Sequence, residues 1–529
     1  MATSRSDAGA LHDPSLHKDG RPFDRVLIAN RGEIAVRIIR ACRDLGIETV
    51  AVYSDADAGA MHVRFADVAV RIGPSAPTES YLRIDAILDA ATTTGARAIH
   101  PGYGFLAERA TFARSVAEAG LTFIGPSAAT IAALGDKLGA RRLARNAGVD
   151  TVPGTLDAVP VDRPDAVGAI VAEAAAIGFP LLVKAAAGGG GRGMRRVERP
   201  ADLPAALAAA SAEAASGFGD GTVYLEREVR PARHVEVQLL GDATGMVVAI
   251  GERDCSIQRR HQKLVEEAPA PGLSRDARLA LHDRAVRISS AAGLTNAATA
   301  EFLLEPDGAV WFLEVNTRLQ VEHGITELVS GLDIVREQLW LAAGRPLSPA
   351  ARDAAGRAAD PTRHAIEVRL TAEDPGRGFA PTPGTIRQWS MPSGPAVRVD
   401  TAGEVGARVP PEYDNLVAKV MVVADDRPAA IDRLRLALDE TEVAGIQTTL
   451  PFHRFVARDR AFRDGELSID WVEEHWDGAA ERAAALSAAA LAAAAAVRRA
   501  VPGTRSGPPV RSDPWRSAAR ADGIDRWPR

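Results

Sequence analysis

A chain of 529 residues exceeds the size at which one hydrophobic core keeps growing, so roughly two to four packed units are expected. Hydrophobic residues at 46%, charged residues at 25% and a net charge of −6 describe an ordinary globular protein and exclude a polycationic nucleic-acid binder. Two cysteines, Cys42 and Cys255, exclude a disulfide-stapled secreted scaffold and favour a reducing cytoplasm.

Residues 1–22 are polar, lack the apolar stretch of a signal peptide, and are expected to form a disordered leader. From Arg25 the pattern is strand, tight turn, helix, strand: residues 26–29 are apolar, Gly32 marks the turn, an amphipathic stretch runs to Asp44, and residues 49–53 are apolar again. Strand patterns at 97–100 and 121–124 continue the alternation, as a parallel α/β sheet requires. A dinucleotide fingerprint is excluded, because Ile28-Ala29-Asn30-Arg31-Gly32-Glu33 has one glycine where three are needed. A second unit, 152–215, centres on a strand at 180–184 followed by a glycine run. A third begins near Thr222, with strand patterns at 223–226, 234–240, 247–251, 299–304 and 310–316. Their alternation predicts an antiparallel sheet with one buried face and another that can hold a ligand. Residues 364–470 mix strands with a helical stretch at 428–441. The alanine-rich run 483–497 falls short of the roughly 20 apolar residues of a membrane span and predicts a surface or partner-docked helix. Residues 502–529 have a composition too poor in apolar residues to offset ordering entropy.

Five glycines in six positions, Gly188 to Gly193, follow Lys184. Each costs roughly 0.5–1 kcal/mol in backbone entropy, so the run is either a lid whose bare N–H groups wrap phosphate or a flexible hairpin tip. The P-loop pattern is absent. Next, strands 299–304 and 310–316 flank Pro306-Asp307-Gly308. A two-residue loop at Asp307-Gly308 would set Glu301 opposite Glu314, with Asn316 on the face of Glu314, whereas a three-residue or bulged loop would shift the register by one. Opposed carboxylates destabilise a sheet unless a cation lies between them, so the group suits Mg²⁺ held with substrate phosphates. The alternative is a solvent-facing edge with ordinary acids. Arg318 and Glu322 follow directly and could hold an anion and act as base, or form a surface ion pair. Arg253, Arg259, Arg260, His261 and Lys263 form a basic cluster, readable as an anion site or as a solvated loop.

These residues resemble one family, the biotin carboxylases and the matching domain of larger biotin-dependent carboxylases. The matching stretches are Ile28 to Glu33, His100-Pro-Gly-Tyr-Gly-Phe105, Lys184 to Met194, Glu252 to Ser256 with Arg260-His-Gln-Lys263, Glu314 to His323, and Glu367-Val-Arg369 with Ala372-Glu-Asp-Pro375. The resemblance implies a mixed α/β ATP-grasp fold: a Rossmann-like N-terminal domain at 23–145, a glycine-loop lid subdomain at 146–221, an ATP-grasp core at 222–355 and a C-terminal domain at 356–475, with an alanine-rich helix and flexible tail at 476–529. It implies ATP with Mg²⁺ or Mn²⁺, bicarbonate, and biotin as the carrier-bound substrate. Lys137 and Lys184 would contact phosphates, Gly190 and Gly191 belong to the lid, Glu226, Arg227, Glu228 and Val229 hold adenine, and His234 and His261 line the nucleotide site. Glu301 and Glu314, with Asn316, would ligate the metal. Lys263, Arg318, Gln320 and Val321 would bind bicarbonate, Glu322 would deprotonate it, Arg369 would stabilise the biotin enolate, and Tyr103 would lie beside the biotin ring.

The implied reaction is ATP-dependent carboxylation of biotin through carboxyphosphate. Its implied partners are a biotin carboxyl carrier protein and carboxyltransferase subunits, with a homodimer, no nucleic acid and no membrane. No Ala-Met-Lys-Met biotin-attachment sequence occurs, so the carrier is expected on another polypeptide. The chain departs from the family at Gly324, where proline is common, which predicts a looser catalytic segment. Two other readings are a non-catalytic nucleotide-binding subunit and a different carboxylate-activating ATP-grasp ligase. Loss of Lys263, Arg318, Glu322 or Arg369 would mark the first, and ATP turnover independent of bicarbonate and biotin the second.

Overall fold

The computed structural model describes residues 20–161, 167–186 and 194–500. The expected leader up to residue 19, the glycine run with Gly190 and Gly191, and the tail beyond residue 500 lie outside the described residues.

The first sheet takes strands β1 (Arg25–Ile28), β2 (Glu48–Ser54), β3 (Val68–Gly73), β4 (Ala98–His100) and β5 (Thr122–Phe123) in the order β3-β2-β1-β4-β5. Every pairing is parallel. Val26 and Ile28 enter one apolar cluster while Leu27 and Ala29 enter another, so β1 is covered on both faces and reads as an unbroken apolar run. The loops after β1 and β4 leave from the same end of the sheet. Asn30 joins them by donating from Nδ2 to the carbonyls of Pro101 and Tyr103, both at 2.7 Å.

A small antiparallel sheet orders β6 (Leu181–Ala185), β7 (Arg195–Val197) and β8 (Val223–Arg227) as β7-β6-β8. The largest sheet has eight strands. It is built from β9 (Arg233–Gly241), β10 (Val247–Arg259), β11 (Gln262–Ala268), β12 (Asn296–Leu304), β13 (Val310–Asn316) and β14 (His364–Thr371) with the strands Leu416–Ala424 and Val397–Thr401. The order is β13-β12-β9-β10-β11-β14, then Leu416–Ala424, then Val397–Thr401. The antiparallel sheet therefore does not stop near residue 355, because β14 pairs with β11 and the two later strands extend it.

Strand alternation sorts side chains to the two faces. Val235, Val237 and Leu239 of β9, and Ile366, Val368 and Leu370 of β14, enter apolar clusters, each side chain contributing about 1.5–3 kcal/mol on full burial. Their neighbours His234, Glu236 and Gln238, and Glu367 and Arg369, point the other way. The reading of Arg253 to Lys263 as a loop is corrected: these residues lie on β10 and β11, joined at a tight turn in which Arg260 and His261 have φ of 49° and 64°.

A separate unit, residues 477–529, is described up to residue 500 by one helix, Gly478–Ala500. Its start is capped by Asp477, whose Oδ1 accepts from the N–H groups of Ala479 and Ala480. Leu486 and Leu491 are exposed on it.

Candidate functional site

The site is assembled on the polar face of the eight-stranded sheet. Across four neighbouring strands, Glu314, Glu301, Glu236 and Arg253 stand in one register row. The pairing of Glu301 with Glu314 agrees with the sequence, but the route differs. Glu305 donates to the carbonyl of Ala309, so the loop holds three residues, 306–308, and a bulge near Leu313 restores the register. Without that bulge, Glu314 would oppose Ala300 and turn toward the core.

Three carboxylates abreast would repel one another were they not shared among cations. Lys263 Nζ reaches over the row and donates to Glu236 at 2.5 Å, Glu301 at 2.8 Å and Glu322 at 2.9 Å. Arg253, fully buried, donates to Glu236 at 2.5 Å and to Gln238, Thr299 and Thr326. Glu301 also meets His234 at 3.1 Å and accepts from Asn316 at 2.9 Å and Gln320 at 3.1 Å.

At the nucleotide end, Lys137 Nζ lies 3.5 Å from Glu314. Lys184 and Arg141 clamp buried Glu226 at 2.6 and 2.5 Å. The N–H groups of Arg227 and Glu228 are taken by the carbonyls of Pro153 and Pro180. Burial, with Lys184, Arg230 and His234 near, lowers the pKa of His261 and favours its neutral ring. Glu301 and Glu314 offer the hard oxygen pair that Mg²⁺ takes alongside phosphate. Asn316 does not offer its oxygen here, since Oδ1 accepts from Arg318 at 2.9 Å while Nδ2 holds Glu301. In this state it positions its two neighbours.

At the other end, Glu322 is fully buried, with Oε1 on Lys263 and Oε2 on Arg369 Nη2 at 2.9 Å. Arg369 Nε donates to Glu266 at 2.6 Å. Arg318 spans Glu108 at 3.1 Å and Gln320 at 2.5 Å. Burial alone would raise the Glu322 carboxyl, but Lys263, Arg369 and Arg253 outweigh it and hold the group well below the usual carboxylate range. Glu322 is thus a carboxylate at neutral pH, with each oxygen held by a cation. Burial pushes Glu266 up to about 7 against the pull of Arg369, with Glu322 adding to the push. Tyr103 donates its hydroxyl to Glu33, at the edge of the same polar region.

The predicted looseness at Gly324 is corrected. A Cβ there would lie 2.4 Å from Met421 Sδ, and Met421 is fully buried, so the segment after Glu322 is packed tightly where a side chain is missing. Glu236, Glu266, Glu367, Glu33, Glu108 and Lys419 were not anticipated from the sequence. One signal was available: His234-Val-Glu236-Val-Gln238 alternates polar and apolar residues and so places three polar groups on one face.

Three family models cover the chain in order: the biotin carboxylase N-terminal domain over residues 22–131, the ATP-binding domain of the carbamoyl-phosphate synthase L chain over 136–350, and the biotin carboxylase C-terminal domain over 367–474. The biotin carboxylase of Pseudomonas aeruginosa is 48% identical over 452 residues, covering 85% of this chain and 98% of that protein. The chain belongs to the biotin carboxylase family. A pyruvate carboxylase subunit of Methanothermobacter thermautotrophicus is 46% identical over 456 residues, 86% of this chain and 91% of the relative. Among solved structures, the biotin carboxylase domain dimer of Hydrogenobacter thermophilus 2-oxoglutarate carboxylase, in complex with MgADP, ADP and bicarbonate, superposes with a TM-score of 0.81 at 43% identity. It covers 86% of this chain and 98% of its own. The biotin carboxylase of Campylobacter jejuni, in a β-γ-ATP complex, gives 0.81 at 41% identity and covers 86% and 99%. The motif resemblance and the mixed α/β ATP-grasp architecture are thereby confirmed.

Proposed function

We propose that the polar face of the sheet carboxylates biotin with ATP and bicarbonate, and that Lys263, Arg318, Glu322 and Arg369 carry the reaction. The observation that supports it most directly is the placement of Glu322: a fully buried carboxylate held ionised between Lys263 and Arg369, beside the Glu301–Glu314 pair. Bicarbonate docks among Lys263, Arg318, Gln320 and the Val321 backbone and loses its proton to Glu322. Its oxygen then attacks the γ-phosphate of ATP, giving ADP and carboxyphosphate. Lys137 and Lys184 leave their carboxylate partners for phosphate oxygens, so charge neutralisation and positioning, the main demands of phosphoryl transfer, are met by the chain. A bound Mg²⁺ on Glu301 and Glu314 would neutralise phosphate charge and orient the nucleotide. Carboxyphosphate yields carbon dioxide and phosphate, the phosphate takes the ureido N–H proton of biotin, and carbon dioxide joins the nitrogen so freed while the Arg369 guanidinium stabilises the enolate oxygen. Tyr103 flanks the ring, adenine sits by Glu226 to Val229, and His234 and His261 line the nucleotide end.

The biotin is borne on a separate carrier protein, and the product is passed to carboxyltransferase subunits. A homodimer, as named for the Hydrogenobacter domain, is the expected assembly, and the cytoplasm the expected compartment. Among the described residues no helix is long and apolar enough to cross a membrane.

The test is ADP release with bicarbonate and free biotin each added and omitted in turn. ADP release that ignores both substrates would overturn the reading. Glu322→Gln should lower bicarbonate-dependent ATP cleavage by at least about 100-fold while nucleotide affinity, read by ADP titration, stays within twofold. Near wild-type cleavage in that variant removes Glu322 from its role.

A further inference from the structure

Lys419, on the strand Leu416–Ala424, belongs to none of the motifs that carry the family resemblance, yet it is completely buried beneath the site. It stands in register with Arg369 on one side and Asp400 on the other. Its ammonium donates to the carbonyl of Val321 at 2.8 Å and pairs with Glu33 Oε1 at 3.1 Å, with Asp400 at 3.9 Å. Val321 immediately precedes Glu322. Glu33 lies in the first turn of the helix Gly32–Asp44, and the same Oε1 that meets Lys419 accepts the hydroxyl of Tyr103.

A buried ammonium has three donors and is tolerated only where each finds an acceptor. Two carboxylates would suffice for charge. The bond to the Val321 carbonyl is a further, directional one, and it pins the peptide from which the Glu322 side chain springs. Because Glu33 divides one oxygen between Lys419 and Tyr103, a shift of the Tyr103 hydroxyl changes how firmly Glu33 holds the ammonium, and through it the Val321 carbonyl. Tyr103 comes from the loop after β4 and Val321 from the segment after β13, and the chain of contacts between them is three bonds long.

We propose that Lys419 is a positioning residue that couples the two ends of the site, setting the peptide that carries Glu322 according to the state of Tyr103 through their shared partner Glu33. The inference rests on the assignment of Glu322 to bicarbonate and Tyr103 to biotin. A biotin ring engaged at Tyr103 thereby signals to the base that the acceptor is present.

The measurement is the ratio of bicarbonate-dependent ATP cleavage with and without free biotin, made on the full chain. Lys419→Gln and Glu33→Gln should each change this ratio by at least about fivefold, with the ADP dissociation constant within twofold of wild type. The double variant should be no worse than the more damaged single, because both cut one linkage. A ratio that stays at the wild-type value in Glu33→Gln, or rates that fall equally with and without biotin in Lys419→Gln, overturns the proposal. Should Lys419→Gln fail to fold, judged by thermal melting, Glu33→Gln decides alone, since it keeps the shape at position 33 while removing the carboxylate that Lys419 and Tyr103 share. If the wild-type chain cleaves ATP without regard to bicarbonate, the functional assignment has failed and not the coupling.

Discussion

Arg369 illustrates how one side chain can be held by two carboxylates and still be given a part in the chemistry. Its Nε is held by Glu266, one Nη by Glu322, and its own carbonyl by Thr449 and His453. Replacing it by alanine leaves Glu266 without its cation and Glu322 with Lys263 alone, yet the loss should fall unevenly. Biotin carboxylation should drop at least about tenfold further than biotin-independent ATP cleavage, since the guanidinium is assigned to the enolate. Equal losses in the two assays would reject that division. Glu266 makes a second prediction, through pH. Its carboxyl is raised from 4.5 to about 7 in the folded chain, chiefly by burial, so the folded state binds a proton that the unfolded chain has released. The stability linked to it is complete below pH 4.5 and is lost as pH rises through 7. Glu266→Gln removes the linkage, so its urea midpoint relative to wild type should climb between those pH values. A difference that stays flat with pH would contradict the shift.

At the scale of elements, the helix His323–Ser330 is seated by an absence. Gly324 lets its first turn lie against Met421 of the strand Leu416–Ala424, where a Cβ would come within 2.4 Å of sulfur. Gly324→Ala should therefore destabilise the chain by about 1–3 kcal/mol and slow ADP release, and Met421→Val in the same chain should restore most of both. Denaturant unfolding and turnover of the single and double variants check it, and a silent Gly324→Ala would remove the packing argument. This contact was illegible in the sequence, because glycine in place of proline announces freedom and only the facing residue shows that the space is taken. The β12–β13 hairpin was legible in outcome and not in path. A three-residue loop and a bulge near Leu313 each move the register by one, and the two cancel. Short local signals such as the unbroken apolar run at residues 26–29 and the alternation at 310–316 were readable because burial of both faces or of one face of a sheet dictates the pattern. Lys419 and Glu266 were not, since a buried lysine or glutamate gives no hint of the partners that burial will supply from segments about 100 residues away, Val321 for one and Arg369 for the other.

For the molecule as a whole, the family match ends at residue 474, and residues 477–529 form a unit of their own. Its alanine-rich helix is capped by Asp477 and shows Leu486 and Leu491 to solvent. Alanine gives it high helix propensity, but a single helix with so little apolar bulk gains stability mainly from a partner. Truncation after Asp477 should leave carboxylation of free biotin within twofold of the full chain and reduce recovery of carrier or carboxyltransferase subunits on co-purification. Equal recovery by both chains would make the extension dispensable. The eight-stranded sheet has a different kind of consequence. Lys263 and Glu266 sit on β11, Arg369 on β14, and the pairing of those two strands runs between the second and third family segments, where Glu266 faces Glu367. The chain cannot be cut and exchanged there as interchangeable modules. A hybrid joined to a relative near residue 355 would draw Lys263, Glu266 and Glu322 from one parent and Arg369 from the other, so the bonds of Arg369 to Glu266 and Glu322 would have to form across the joint.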